Sequence, residues 1–116
     1  MATIKNVEQA LQNFEIYSNK QAEYSELGNY KSANVAYKNI LSSVYYLKEQ
    51  GQINLLEKFL DFSSIGVRLW AAYFLLPQIE SKSIKVLKEI SLSPTIHGFT
   101  AETTIEEWNN GTLEFP

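Results

Sequence analysis

The chain has 116 residues, 45% of them hydrophobic and 20% charged, a balance that suits one folded domain with a real core and excludes a disordered chain. It has no cysteine, which excludes disulfides, thiolate nucleophiles and cysteine-ligated zinc, and it carries one histidine and a formal net charge of −3. The charge is unevenly placed. Residues 1–60 hold six Lys and six Glu, whereas the segment from Ser93 onward holds Glu102, Glu106, Glu107 and Glu114 and no Lys or Arg. An acidic end on a neutral body argues against nucleic-acid binding, which requires a basic face, and suits a basic protein partner.

Ile4, Val7, Leu11, Phe14 and Tyr17 recur at three- and four-residue spacing and predict a first amphipathic helix. Thr3 offers one N-cap and Asn6 with Gln9 another, and Gly28-Asn29 ends the helix. Lys5 is followed by no continuous apolar run, so no secretory leader is expected. A second helix over Tyr30–Gln50 lines up Ala33, Tyr37, Ile40, Val44 and Leu47, with Gly51 in the position of a C-terminal cap. A short third helix over about 53–60 carries Leu55, Leu56, Phe59 and Leu60.

Ser63 or Ser64 can cap a fourth helix that runs to Leu76, where Pro77 stops it. Its apolar stretch is far shorter than the roughly 20 residues of a membrane span and reads as a buried helix. Ser81 or Ser83 is expected to start a fifth helix with Ile84, Leu87 and Ile90 on one stripe. A last short helix places Ile105 and Trp108 together, with Thr103-Thr104-Ile105-Glu106 as a capping box and Gly111 as its close. No segment alternates with period two. The expected fold is therefore all-α: about six helices in three antiparallel hairpins, over about 3–50, 52–77 and 80–110, in a single domain spanning 1–116.

Arg68 is the only charged side chain between Asp61 and Glu80. Ala71 and Ala72 permit close helix approach, and Val67, Phe74 and Leu75 fill the space between layers. An arginine in the first turn can reach a turn carboxylate or the carbonyls of a neighbouring hairpin, its stem lying over apolar surface. The segment Asp61…Val67-Arg68-Leu69-Trp70-Ala71-Ala72 resembles the second helix of a HEAT repeat, though its aspartate sits one residue further from the valine than in the commonest form. That resemblance implies a HEAT-like α-solenoid in which Arg68 holds repeats together.

Three blocks spread along the chain carry a narrower resemblance: Tyr30-Lys-Ser-Ala33-Asn34-Val-Ala36-Tyr37, Val67-Arg68-Leu69-Trp70-Ala71-Ala72, and Ala101-Glu-Thr-Thr-Ile105-Glu-Glu-Trp108-Asn-Asn-Gly111. Together they resemble the bacterial domain-of-unknown-function family 2019. Helical-repeat proteins of this kind recur as small immunity proteins beside polymorphic and contact-dependent toxins. The resemblance therefore implies a cytoplasmic protein that sequesters a bacterial toxin domain, a basic nuclease being the expected kind.

Little in the chain suggests catalysis. His97 is the only histidine and Asp61 the only aspartate, so a Ser-His-Asp triad or a histidine-rich metal site has almost no material. Neither phosphate-cradling glycine motif occurs, and no cofactor is expected. His97, ahead of Gly98, reads as a capping or half-exposed residue in the connection to the last helix.

The expected partner-binding residues are Glu102, Glu106 and Glu107, which would steer a basic partner, with Tyr45, Tyr46 and Arg68. Tyr37 and Tyr73 fall within apolar stripes and read as core, whereas Tyr24, Tyr30, Tyr45 and Tyr46 cannot all face inward. Exposed tyrosines bury large area at low entropy cost. The alternative reading is a non-catalytic scaffold, monomeric or weakly homodimeric, with no toxin partner.

Overall fold

A computed structural model describes residues 3–116. Five α-helices and one 3-10 helix, with no strand, make up the regular structure of the described residues, so the fold is all-α. Helix α1 (Val7–Glu26) packs along α2 (Tyr30–Glu49). The 3-10 helix (Ile53–Asp61) packs against α3 (Ile65–Phe74), and α4 (Glu80–Ser91) against α5 (Ile96–Asn110). Helix α3 lies at the centre, touching α1, α4 and α5 as well.

Of the two candidate caps for α1, the chain uses Asn6. Its side chain accepts from the Gln9 amide at 2.8 Å, and Gln9 Oε1 in return accepts from the Lys5 amide at 2.9 Å. This reciprocal pair satisfies two donors that a helix start leaves over. Asn29 caps α2 through the Ser32 amide at 3.2 Å. The glycines after each long helix, Gly28 and Gly51, have φ of 73° and 67°, the left-handed conformation that closes a helix without a Cβ penalty.

The third element winds as a 3-10 helix, and its sequence explains why. Ile53, Leu56, Phe59 and Phe62 recur every three residues, and three residues per turn aligns them along one edge. Leu56 and Phe59 are fully buried, and the Phe59 ring stacks on Phe14 of α1 at 5.4 Å.

Ser64 starts α3, accepting from the Val67 amide while its hydroxyl donates to Asn19 of α1. Gly66 lies so close to α1 that a Cβ there would come within 2.7 Å of both the Ser18 carbonyl and Ala22. The helix ends at Phe74, two residues before the expected stop, yet Leu75 and Leu76 stay fully buried in the following turn.

Two starts differ from expectation. Helix α4 begins at Glu80 with no side-chain cap, and Ser83 is buried on its inner face instead. Helix α5 begins at Ile96, capped by Thr95 through the His97 amide at 3.3 Å, and not at the Thr103-Thr104 box. Thr104 is buried mid-helix, its hydroxyl donating back to the Thr100 carbonyl at 2.8 Å. The inward stripe of α5 runs His97, Ala101, Thr104, Ile105, Trp108, whose first members are too polar or small to register as hydrophobic period.

Gly111 does close α5, at φ 72°. The tail beyond it folds back, with the Thr112 and Leu113 amides donating to the Glu107 carbonyl and Phe115 packing 5.1 Å from Tyr73.

Candidate functional site

Arg68 projects from the first turn of α3. Its Nε donates to the Leu60 carbonyl at 3.2 Å, and Nη2 meets Glu89 of α4 at 2.9 Å. One guanidinium thereby ties the 3-10 helix, α3 and α4 together. The cleft around it is lined by Glu57, Asp61, Lys82 and Lys85, and Lys82 pairs with Glu57 across it.

Tyr45 and Tyr46 sit side by side near the end of α2. Tyr45 is exposed, whereas Tyr46 is half-buried and its hydroxyl donates to the Lys5 carbonyl at 3.1 Å. Both line a shallow cleft with Ile4, Asn13, Ser42 and Glu49.

The acidic residues lie on α5. Glu102 and Glu106 face solvent, Glu107 is half-buried, and none of the three makes an ion pair among the described residues. Phe99 and Ile96 occupy the same outward stripe about one and two turns before Glu102, Phe99 with 71% of its surface exposed. The solvent face of α5 is therefore apolar in its first half and acidic in its second.

A row of aromatic rings runs from α2 across α3 to the C-terminal tail and α5. Tyr37 of α2 lies 5.1 Å from Trp70 of α3, Trp70 lies 5.6 Å from Tyr73, and Tyr73 lies 5.1 Å from Phe115, which reaches Trp108 at 6.3 Å. All five are half-buried. Burial, with smaller contributions from the nearby Tyr73 and Tyr45 hydroxyls, pushes the Tyr37 phenol up to about 12. The Tyr73 phenol is raised first by burial and then by the Glu107 carboxylate.

Glu107 lies near enough to Tyr73, and Tyr45 to Tyr37, to raise those two phenols of the row. Tyr46 and Arg68 are not brought to it: Tyr46 is turned to the lead-in of α1, and Arg68 to α4. Tyr37 and Tyr73, read from their stripes as core, are half-buried members of this seam. Only the folding back of Phe115 completes it, and nothing in the spacing of the last five residues signals that return.

His97 corrects the sequence reading. It is buried in the first turn of α5, and its Nε2 lies 2.8 Å from Oε1 of Glu26 at the end of α1. Beside it, Trp70 Nε1 donates to Gln21 Oε1 at 2.9 Å, and Gln21 Nε2 donates to Ser25 at 3.0 Å. These polar groups join α1, α3 and α5 beneath a small concavity whose rim includes Tyr30 and Ile96.

This face presents half-buried amphipathic rings beside carboxylates that make no ion pair among the described residues. No helix of the described residues is long and apolar enough to cross a membrane. No protein-family model, curated protein or solved structure matches the chain.

Proposed function

We propose that this chain is a protein-binding module with a HEAT-like arrangement of helical hairpins. In this reading it acts in the cytoplasm as an immunity protein that sequesters a basic bacterial toxin domain of the contact-dependent or polymorphic type, a nuclease in the simplest case. The observation that carries the reading is the α5 face, where Glu102, Glu106 and Glu107 make no ion pair among the described residues and Glu107 lies near Tyr73 of the aromatic row. Complementary charge raises the rate of encounter, and rings held in place supply contact area at low entropy cost. The resemblance of the three sequence blocks to immunity-associated helical families supports the same conclusion.

The test is the kinetics of binding to the C-terminal domain encoded by the gene immediately upstream. Changing Glu102, Glu106 and Glu107 to lysine should slow association by roughly tenfold or more at low salt and flatten its salt dependence. Unchanged association kinetics would remove the electrostatic basis of the proposal.

A second reading, a self-associating scaffold, draws support from the large apolar side chains left exposed at Leu27, Tyr30, Ile96 and Phe99.

A further inference from the structure

The solvent stripe of α5 has a counterpart elsewhere on the same molecule. Between the outer faces of α1 and α2 runs a groove lined by Tyr17, Lys20, Tyr24, Lys31 and Val35. Val35 is 55% exposed, and the Lys20 ammonium sits 5.2 Å above the Tyr17 ring. Neither Lys20 nor Lys31 makes an ion pair among the described residues.

The groove therefore offers an apolar and aromatic floor with two free cations. The stripe offers two exposed apolar side chains, Ile96 and Phe99, followed by two free carboxylates, Glu102 and Glu106. Each surface presents what the other lacks, in apolar area and in sign of charge.

We infer that the occupant of the α1–α2 groove is the α5 stripe of a second copy of this chain. Phe99 and Ile96 lie against Val35 and Tyr24, while Glu102 and Glu106 face Lys20 and Lys31. Stripe and groove are built from different residues, so the contact is heterologous. One pairing leaves a free groove on one copy and a free stripe on the other, and assembly continues with concentration unless a ring closes. The inference goes beyond the proposed toxin binding and does not depend on it, because it concerns the purified chain alone.

Sedimentation velocity over a wide concentration range, at low and high salt, tests it directly. The wild-type chain should show a sedimentation coefficient that rises with concentration and falls back as salt screens the pairs. The stripe variant Glu102→Lys/Glu106→Lys and the groove variant Lys20→Glu/Lys31→Glu should each weaken association at least ~10-fold. An equimolar mixture of the two variants should associate again, since lysines on one stripe then meet glutamates in the other's groove. Circular dichroism of each variant establishes that it is folded; all four positions are exposed.

A wild-type monomer at every concentration would overturn the inference while leaving the toxin-binding proposal standing. Association that survives both variants, or a mixture that stays monomeric, would overturn the assigned pairing. Failure of the toxin-binding reading is seen separately, in the kinetics with the upstream domain.

Discussion

The imidazole of His97 and the carboxylate of Glu26 meet at 2.8 Å, 71 residues apart in sequence, and clamp the start of α5 to the end of α1. A carboxylate only accepts, so the proton of the contact is on His97 Nε2. The imidazole is almost wholly buried, and its loss leaves a hole and releases the half-exposed Glu26 carboxylate to water. His97→Ala should destabilise the fold by about 2 kcal/mol. Glu26→Gln keeps an acceptor and should cost less than about 1 kcal/mol, whereas Glu26→Leu leaves the buried N–H unpaired at about 1–3 kcal/mol. Chemical denaturation of the three variants checks the order.

Gly98 follows in α5, where the helix start passes closest to the end of α4. A Cβ there would lie 2.0 Å from the Ser93 carbonyl and 3.3 Å from that of Ile90, both backbone atoms that cannot rotate away. Alanine ordinarily favours a helix over glycine by about 1 kcal/mol. Here the sign reverses, and Gly98→Ala should cost about 3 kcal/mol or more by displacing the α4–α5 turn. A neutral or raised melting temperature would contradict the close approach of the two helices.

Arg68 serves two acceptors on different elements, and its variants should separate them. Arg68→Ala loses the Leu60 carbonyl bond, the Glu89 pair and the packing of the stem, about 2 kcal/mol in all. Glu89→Gln removes only a pair whose acid partner is half-exposed and should cost less than about 1 kcal/mol. Arg68→Lys keeps the charge but has no guanidinium fork to reach both acceptors, so it should fall between them. Thermal melts in low and high salt distinguish the carbonyl bond from the screened pair.

Tyr37 makes an alkaline prediction. Its folded-state value of about 12 lies above the ordinary 10.0 of an unfolded chain. The folded protein therefore holds that proton more tightly than the unfolded one. This contribution to stability is fully present below pH 10 and is lost as pH rises from there through about 12. Ultraviolet titration should show a late phenolate that Tyr37→Phe removes, and the variant's stability should fall less steeply over the same interval.

Much of the fold is legible in the sequence. The long helices follow from the period of Val7, Leu11, Phe14 and Tyr17 and of Ala33, Ile40, Val44 and Leu47, and their ends from Gly28 and Gly51. The start of α5 is not, because its inward residues, His97, Gly98 and Ala101, are chosen for a polar clamp and a close approach and carry no hydrophobic period. Ser83 shows the opposite case: a serine near a helix start reads as a cap, whereas here it is fully buried on the inner face of α4. The candidate site is legible only in parts. Glu107 and Tyr45 stand out by type, but the row of rings from Tyr37 to Trp108 depends on the return of Phe115, a long-range contact that local pattern does not encode.

The proposed function meets its most direct test in growth. The C-terminal domain encoded by the gene immediately upstream would be expressed in bacteria with and without this chain. Growth should arrest with the domain alone and recover when the two are expressed together, and a complex should co-purify. A toxic domain that this chain neither rescues nor binds would contradict the proposed function.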